Sequence, residues 1–242
     1  MPRYFLELAY KGARYSGFQV QLNAITIQSE VEKALNTFFR QPIMLTGSSR
    51  TDAGVHAFQN FFHFDAEIVI FPKQLYNINS ILPDDIVVNA IFQVPSNAHC
   101  RFDAVQREYQ YFIYHHKNPF LLDKAWFYPY QLDLASMNIV ADSLVGTYDF
   151  SSFAKKNTQV NNFICTVHAS QWSIQGNCLV YTVKGNRFLR GMVRGLVGTM
   201  VRVGRGIISL KQFNEILQEK NCAKADFTTP PQGLFLASVN YV

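Results

Sequence analysis

The chain has 242 residues, of which 48% are hydrophobic and 14% aromatic, with 21 Phe and 12 Tyr against 16% charged residues. That composition builds a core of one large domain or two modest ones and excludes a disordered chain. The net charge of +5 speaks of partners rather than of fold, but its distribution is uneven: no Asp or Glu occurs from Phe150 to Asn214, whereas nine Lys and Arg do, Lys155, Lys156, Arg187, Arg190 and Arg194 among them.

In chain order, RYFLELAY (3 to 10) is short, apolar and aromatic and predicts a strand; KGARYSGFQ with its two glycines predicts a loop. TIQSEVEKALNTFF predicts a helix capped by Thr26, with Ile27, Val31, Ala34, Leu35 and Phe38 on one face. The segment SSRTDAGVHAF (48 to 58) then clusters charge in a chain with little of it, and leads into a predicted strand, FQNFFHFD (58 to 65). EYQYFIYHH (108 to 116) predicts a strand, LDLASMNIVADSLVG a helix capped by Asp133 and stopped by Gly146, and HASQWSI with CLVYTVKG a hairpin across Gln175, Gly176 and Asn177. A glycine-rich helix, a short helix capped by Ser209 and a last strand, GLFLASVNYV, complete the chain.

This order predicts an α+β fold: two ferredoxin-like, split β-α-β halves sharing a continuous, mostly antiparallel sheet with helices on one face. The halves are expected at 1–104, carrying the charged loop, and 105–242, carrying the basic helix. The repeat is one of layout and not of residues. No Ser/Gly/Pro-rich linker separates the halves.

Several chemistries are disfavoured. Cys100, Cys165, Cys178 and Cys222 form no C-x-x-C pair, so neither a zinc knuckle nor a disulfide scaffold is expected, and a reducing, cytoplasmic setting fits. No signal peptide and no run of about 20 apolar residues is found, so no membrane partner is expected. His56 and His63 lack local companions, His115 and His116 face opposite ways on a strand, and neither a nucleophile elbow nor a P-loop is present. Neither a metal nor a cofactor is expected.

What remains is an acid with arginines. If Arg50 to Asp52 is extended, the two side chains point the same way and can pair, and Gly54 allows the turn that exposes Asp52. An arginine within a few ångströms lowers a carboxylate's pKa by about 1 to 3 units and keeps it ionised as a nucleophile. In RFLRGMVRGLVGTMV (187 to 201), drawn as one helix at about 100° per residue, Arg187, Arg190 and Arg194 fall within roughly 60° of one another. Gly191 and Gly198 lie on or beside that face, where a phosphate-bearing partner or simply a neighbouring element can approach. Three readings follow from the residues: an acid-arginine enzyme site, a non-catalytic RNA-binding protein with Asp52 as a structural acid, and a small-metabolite enzyme using the arginines as a carboxylate clamp.

RTDAGVHA (50 to 57) resembles the signature of the TruA family of tRNA pseudouridine synthases. YKGARYSGFQ, TIQSEVEKAL, RFDAVQREYQY (101 to 111) and NRFLRGMVRGLVG (186 to 198) resemble that family's further motifs, in family order. The resemblance implies that Asp52 is a nucleophile attacking a uridine at ribose C1′ or uracil C6, that Tyr109 stacks on the base, and that Arg190 pairs with the nucleophile while Arg50 has a supporting role toward RNA phosphate. It implies isomerisation at tRNA positions 38, 39 and 40 without a cofactor, by a homodimer. Lys155, Lys156, Arg187 and Arg194 would help form an RNA-binding cleft. Ser49 stands where the family usually has glycine, a departure that matters if φ is positive there.

Overall fold

The computed structural model describes every residue except 72, 157–159, 161 and 242. It divides into two compact units, residues 1–105 with 235–242, and residues 106–234. The last strand, which the sequence places with the second half, therefore belongs with the first.

The first unit runs β1 (Arg3–Tyr10), α1 (Ile27–Phe39), β2 (Thr46–Gly47), β3 (His56–Asp65), α2 (Gln74–Asn79) and β4 (Ile86–Val94). Strand β3 lies between β1 and β2 and is antiparallel to both, with Leu6 opposite Phe62 and Thr46 opposite His63. The strands that α1 connects are therefore separated by a third, which is the split β-α-β arrangement. Helix α1 forms where its cap and stripe predict. Thr26 accepts from Ser29 N while the Ser29 hydroxyl accepts from Thr26 N, and Ile27, Val31, Ala34 and Leu35 are buried. Such a cap stabilises a helix by about 1 kcal/mol, and each large aliphatic side chain buried below it by about 1.5–3 kcal/mol. Phe18 completes this core by stacking on Phe62 at 4.5 Å.

The second unit repeats the plan with β5 (Ala104–Tyr114), β6 (Trp126–Phe127), α3 (Leu134–Ser143), β7 (Gly146–Asp149), β8 (Ile164–Gln175), β9 (Cys178–Gly185), α4 (Met192–Gly204) and α5 (Leu210–Gln218). Strand β9 lies between β5 and β8 and is antiparallel to both, so α3 closes a second split unit. The predicted hairpin turn is present, with Gly176 at φ 57°. Asp133 caps α3 by accepting from Ala135 N and Ser136 N, and Ser209 caps α5 in a capping box with Gln212.

The final strand, β10 (Leu234–Tyr241), pairs in parallel with the start of β3, Phe235 opposite His56 and Leu236 opposite Ala57. Residue 242, the predicted end of that strand, lies outside the described residues. All four cysteines are free thiols. Among the described residues, no helix is long and apolar enough to cross a membrane.

Candidate active site

In the first unit Asp52 sits on the turn that enters β3. Val55 N donates to Asp52 O at 3.2 Å, and Gly54, with φ 78°, occupies the position of this β-turn that a side chain resists and glycine accepts. Asp52 is half-buried between buried Thr51 and the turn.

The loop after β1 holds that turn from one side. Phe18 N donates to Thr51 O at 3.1 Å, Gly12 N donates to His56 Nδ1 at 3.0 Å, and the Tyr10 hydroxyl bonds Thr51 Oγ1 at 2.8 Å. The two glycines of this loop are there because backbone meets backbone. A Cβ on Gly12 would lie 1.9 Å from Val55 O, and Gly17, at φ 106°, lies against Thr51 O. Asp85 anchors the same loop from below, accepting from Arg14 Nε at 2.7 Å and the Tyr15 hydroxyl at 2.5 Å. Burial pushes the Asp85 carboxyl up, but those two bonds outweigh it and hold the group below the usual carboxylate range.

Asn60 holds the turn from the other side. It is fully buried, its Oδ1 accepts from Ser49 N at 3.3 Å and Phe61 N at 2.8 Å, and its Nδ2 donates to Ser49 O at 2.8 Å and Tyr10 Oη at 3.2 Å. Ser49 keeps an ordinary negative φ, since Asn23, Arg40 and Lys220 are the non-glycine residues with positive φ among the described residues. The serine therefore fits the backbone without the strain that a left-handed position would bring.

The predicted Arg50–Asp52 pairing is not formed. Arg50 is exposed, has no ion-pair partner among the described residues, and instead lines a cavity of about 210 Å³ together with His99, Arg101 and Phe102. His56 is a core residue, fully buried and stacked on Phe235 at 4.5 Å.

In the second unit Tyr109 lies on β5 opposite Val183, half-buried, with its ring edge-on to Phe188 at 5.1 Å. Arg107 Nη1 donates to Asn186 O at 2.9 Å, so the segment that carries Arg190 starts beside this strand. Arg190 is exposed, and its carbonyl accepts from Lys155 N at 3.0 Å. The fold thereby brings together two residues 35 positions apart that the sequence could place only in one basic region.

The single basic helix face expected across Arg187, Arg190 and Arg194 does not exist. Helix α4 starts at Met192 because Gly191, with φ 74°, breaks helical geometry at its N-cap; the wheel applies only where the helix is continuous. Arg187 and Arg190 precede it in an irregular segment. The stem of Lys155 covers Gly191, with Cγ 2.9 Å from where a Cβ would stand. Gly195 and Gly198 face the chain's own 226–229 segment: Phe227 covers the first, and Asp226 O would lie 2.4 Å from a Cβ on the second. Arg194 joins the same contact, its Nε donating to Thr229 O at 2.8 Å while Thr229 Oγ1 donates to Arg194 O at 2.8 Å. Burial pushes the Cys165 thiol up to about 11, against an opposing pull from the nearby Arg187 charge. Lys184 pairs with Glu108 at 3.2 Å across β5 and β9, so one cation of the acid-free run is neutralised from outside it. Lys156 is exposed.

The first unit also holds a cluster that residue spacing did not show. His63, His99 and Cys100 place their ligand atoms within 4.8 Å of one another and are the described residues best suited to hold a metal. One nitrogen of each ring is already in use: His99 Nδ1 accepts from Arg101 N and Phe102 N, and His63 Nδ1 lies 3.1 Å from Cys100 Sγ. Burial, then the charges of His99 and Arg3, lower the His63 pKa to about 4, so its imidazole is neutral in the fold near neutrality. The arrangement acts as a loop brace.

A family profile described as tRNA pseudouridine synthase matches residues 140–242. The chain is 41% identical over 244 residues to a tRNA pseudouridine synthase A of Bacteroides fragilis, covering 100% of this chain and 97% of the relative. It is 39% identical over 246 residues to one of Parabacteroides distasonis, covering 100% and 96%. It is 37% identical over 242 residues to one of Azobacteroides pseudotrichonymphae, covering 100% and 97%. At this identity over whole chains, the protein belongs to the TruA family of tRNA pseudouridine synthases.

Proposed function

We propose that this protein isomerises uridine to pseudouridine in tRNA, at positions 38, 39 and 40 of the anticodon arm, with Asp52 as the nucleophile, and that it works as a homodimer in the cytoplasm. The observation that carries the reading is the turn at Asp52: a half-buried carboxylate on a turn braced from both sides by buried backbone and side-chain hydrogen bonds. Such bracing suits a group whose position must hold to a fraction of an ångström during attack.

In this reading the Asp52 carboxylate attacks ribose C1′ or uracil C6, and the C1′–N1 bond breaks. The base turns, C5 bonds to C1′, the bond to the Asp52 oxygen breaks and returns the carboxylate, the proton leaves C5 and N1 gains one, so atoms balance with no redox step. Tyr109 stacks on the base, and its hydroxyl assists removal of the C5 proton. Arg190 supplies the guanidinium that keeps the carboxylate ionised, and Arg50 supports the RNA. A stacked uridine must first be extruded, at a cost of a few kcal/mol offset by stacking and backbone contacts. Lys155, Lys156, Arg187 and Arg194 contribute to a basic surface for the tRNA backbone.

The test is quantification of pseudouridine in tRNA transcripts incubated with the wild type and with Asp52→Ala. The expected result is product at the three positions with the wild type and none with the variant, whose tRNA affinity stays within roughly tenfold. Turnover by Asp52→Ala would overturn the nucleophile assignment, and binding without product by the wild type would leave a non-catalytic RNA-binding protein.

A further inference from the structure

The cavity beside the Asp52 turn has a composition that a solvent-filled surface hollow does not require. Arg50 and Arg101 line it, Phe18 lies at its floor, Gln19 offers an exposed amide, and no carboxylate is among its lining residues. At about 210 Å³ it has room for a nucleobase.

Its outer wall is the loop 99–103, and that loop is closed on itself. His99 Nδ1 accepts from Arg101 N at 3.1 Å and Phe102 N at 3.3 Å. The Asp103 carboxylate accepts from His99 N at 2.7 Å, and Asp103 N returns a bond to His99 O at 3.0 Å. A loop so braced holds Phe102 out at 74% exposure. The ring lies 4.2 Å from the His99 ring and 5.7 Å from Arg101 Cζ. A rigidly presented aromatic face next to two guanidiniums is the pairing by which proteins hold a single-stranded nucleotide: the face stacks a base, and the cations take its phosphate.

We propose that this cavity is a subsite for a second nucleotide of the substrate RNA, adjacent to the target uridine, with Phe102 stacking its base and Arg101, together with Arg50, holding its phosphate. The proposal rests on the reading of the chain as a uridine isomerase acting on tRNA. It adds a positioning role for two residues, Arg101 and Phe102. Because both side chains are exposed and outside the core, substituting them leaves the fold in place.

The experiment is steady-state pseudouridine formation on a tRNA transcript by the wild type, Arg101→Gln, Phe102→Ala and Phe102→Trp, with thermal melting as a fold check and with KM followed from low to moderate salt. Arg101→Gln and Phe102→Ala are expected to raise KM about tenfold with kcat within about threefold, and Phe102→Trp to restore the wild-type KM. Arg101→Gln should also reduce the slope of log affinity against log salt by about one. A transcript with 2-aminopurine beside the target should be quenched on binding to the wild type and not to Phe102→Ala. An active wild type whose KM, salt slope and quenching survive both substitutions overturns the subsite and leaves the isomerase reading standing. A wild type that makes no pseudouridine overturns that reading instead. Saturable binding of free uridine monophosphate, abolished by Arg101→Gln, with no effect of that variant on tRNA KM, would show a mononucleotide site and also overturn the proposal.

Discussion

Replacing Asn60 with leucine removes the member of the Asp52 brace that no other group duplicates. Leucine is close in volume and tolerates burial, so the change isolates the hydrogen bonds. Three backbone groups lose the bond to Asn60, Ser49 N at 3.3 Å, Ser49 O at 2.8 Å and Phe61 N at 2.8 Å, while the Tyr10 hydroxyl retains Thr51 Oγ1 at 2.8 Å. Each orphaned buried group costs about 1–3 kcal/mol. Ser49 is buried but Arg50 beside it is exposed, so partial rehydration places the sum at about 2–4 kcal/mol. In a chain of this length that lowers Tm by about 5–15 °C. Urea unfolding at constant m measures the loss, and single-turnover pseudouridine formation measures the effect on the turn, expected as a fall in kcat of at least tenfold with tRNA affinity little changed. A stability loss under about 0.5 kcal/mol together with unaltered turnover would refute the view that Asn60 positions the segment bearing Asp52.

Gly12→Ala puts a Cβ 1.9 Å from Val55 O, which only backbone displacement relieves; a loss of at least about 2 kcal/mol in chemical denaturation, with reduced kcat, is expected. Gly198→Ala should destabilise by about 1–3 kcal/mol even though alanine favours a helix by about 1 kcal/mol, because the added methyl meets Asp226 O at 2.4 Å; a more stable variant in the same assay would refute the packing account. For His63, the folded pKa of about 4 lies below the ordinary 6.5, so the unfolded chain binds the proton first as pH falls. Stability is then full above about pH 6.5 and declines by up to about 3 kcal/mol toward pH 4. His63→Gln should flatten that part of the urea stability profile, and an unchanged profile would refute it.

How much of this was legible differs from element to element for physical reasons. Helices α1, α3 and α5 are legible with their caps because Thr26, Asp133 and Ser209 act within three residues of themselves, which is the range that sequence patterns report. Strand β1 and the hairpin of β8 and β9 are legible for the same reason. The role of Asn60 was not: it joins Ser49, eleven residues away, to Tyr10, fifty away. The available signal was a lone amide in the run FQNFFHFD, sharing its parity with buried Phe62 and Phe64. A polar side chain at such a position must have partners inside, but nothing local names them. His99 and Cys100 were likewise invisible as companions of His63, because the loop that brings them to β3 closes over more than thirty residues.

The glycines show where periodicity misleads. A glycine in sequence says that something comes close or that φ is positive; it does not say which, nor what approaches. In the loop 10–19 both reasons operate, and the approaching group is the turn bearing Asp52, so those glycines serve the site directly. In RGMVRGLVG the same residue type has three different causes: a left-handed cap at Gly191, the ring of Phe227 at Gly195, and a carbonyl at Gly198. Projecting all of these onto one wheel manufactures a basic face, because the projection presumes the continuity that Gly191 removes. The arginines before the break are then held by irregular backbone, through the bond from Lys155 N to Arg190 O, and not by a helix. Gly191→Ala should therefore act on the approach of Lys155 and Arg190, where the new methyl meets the Lys155 stem at 2.9 Å and φ 74° is strained, before it acts on helix α4 itself.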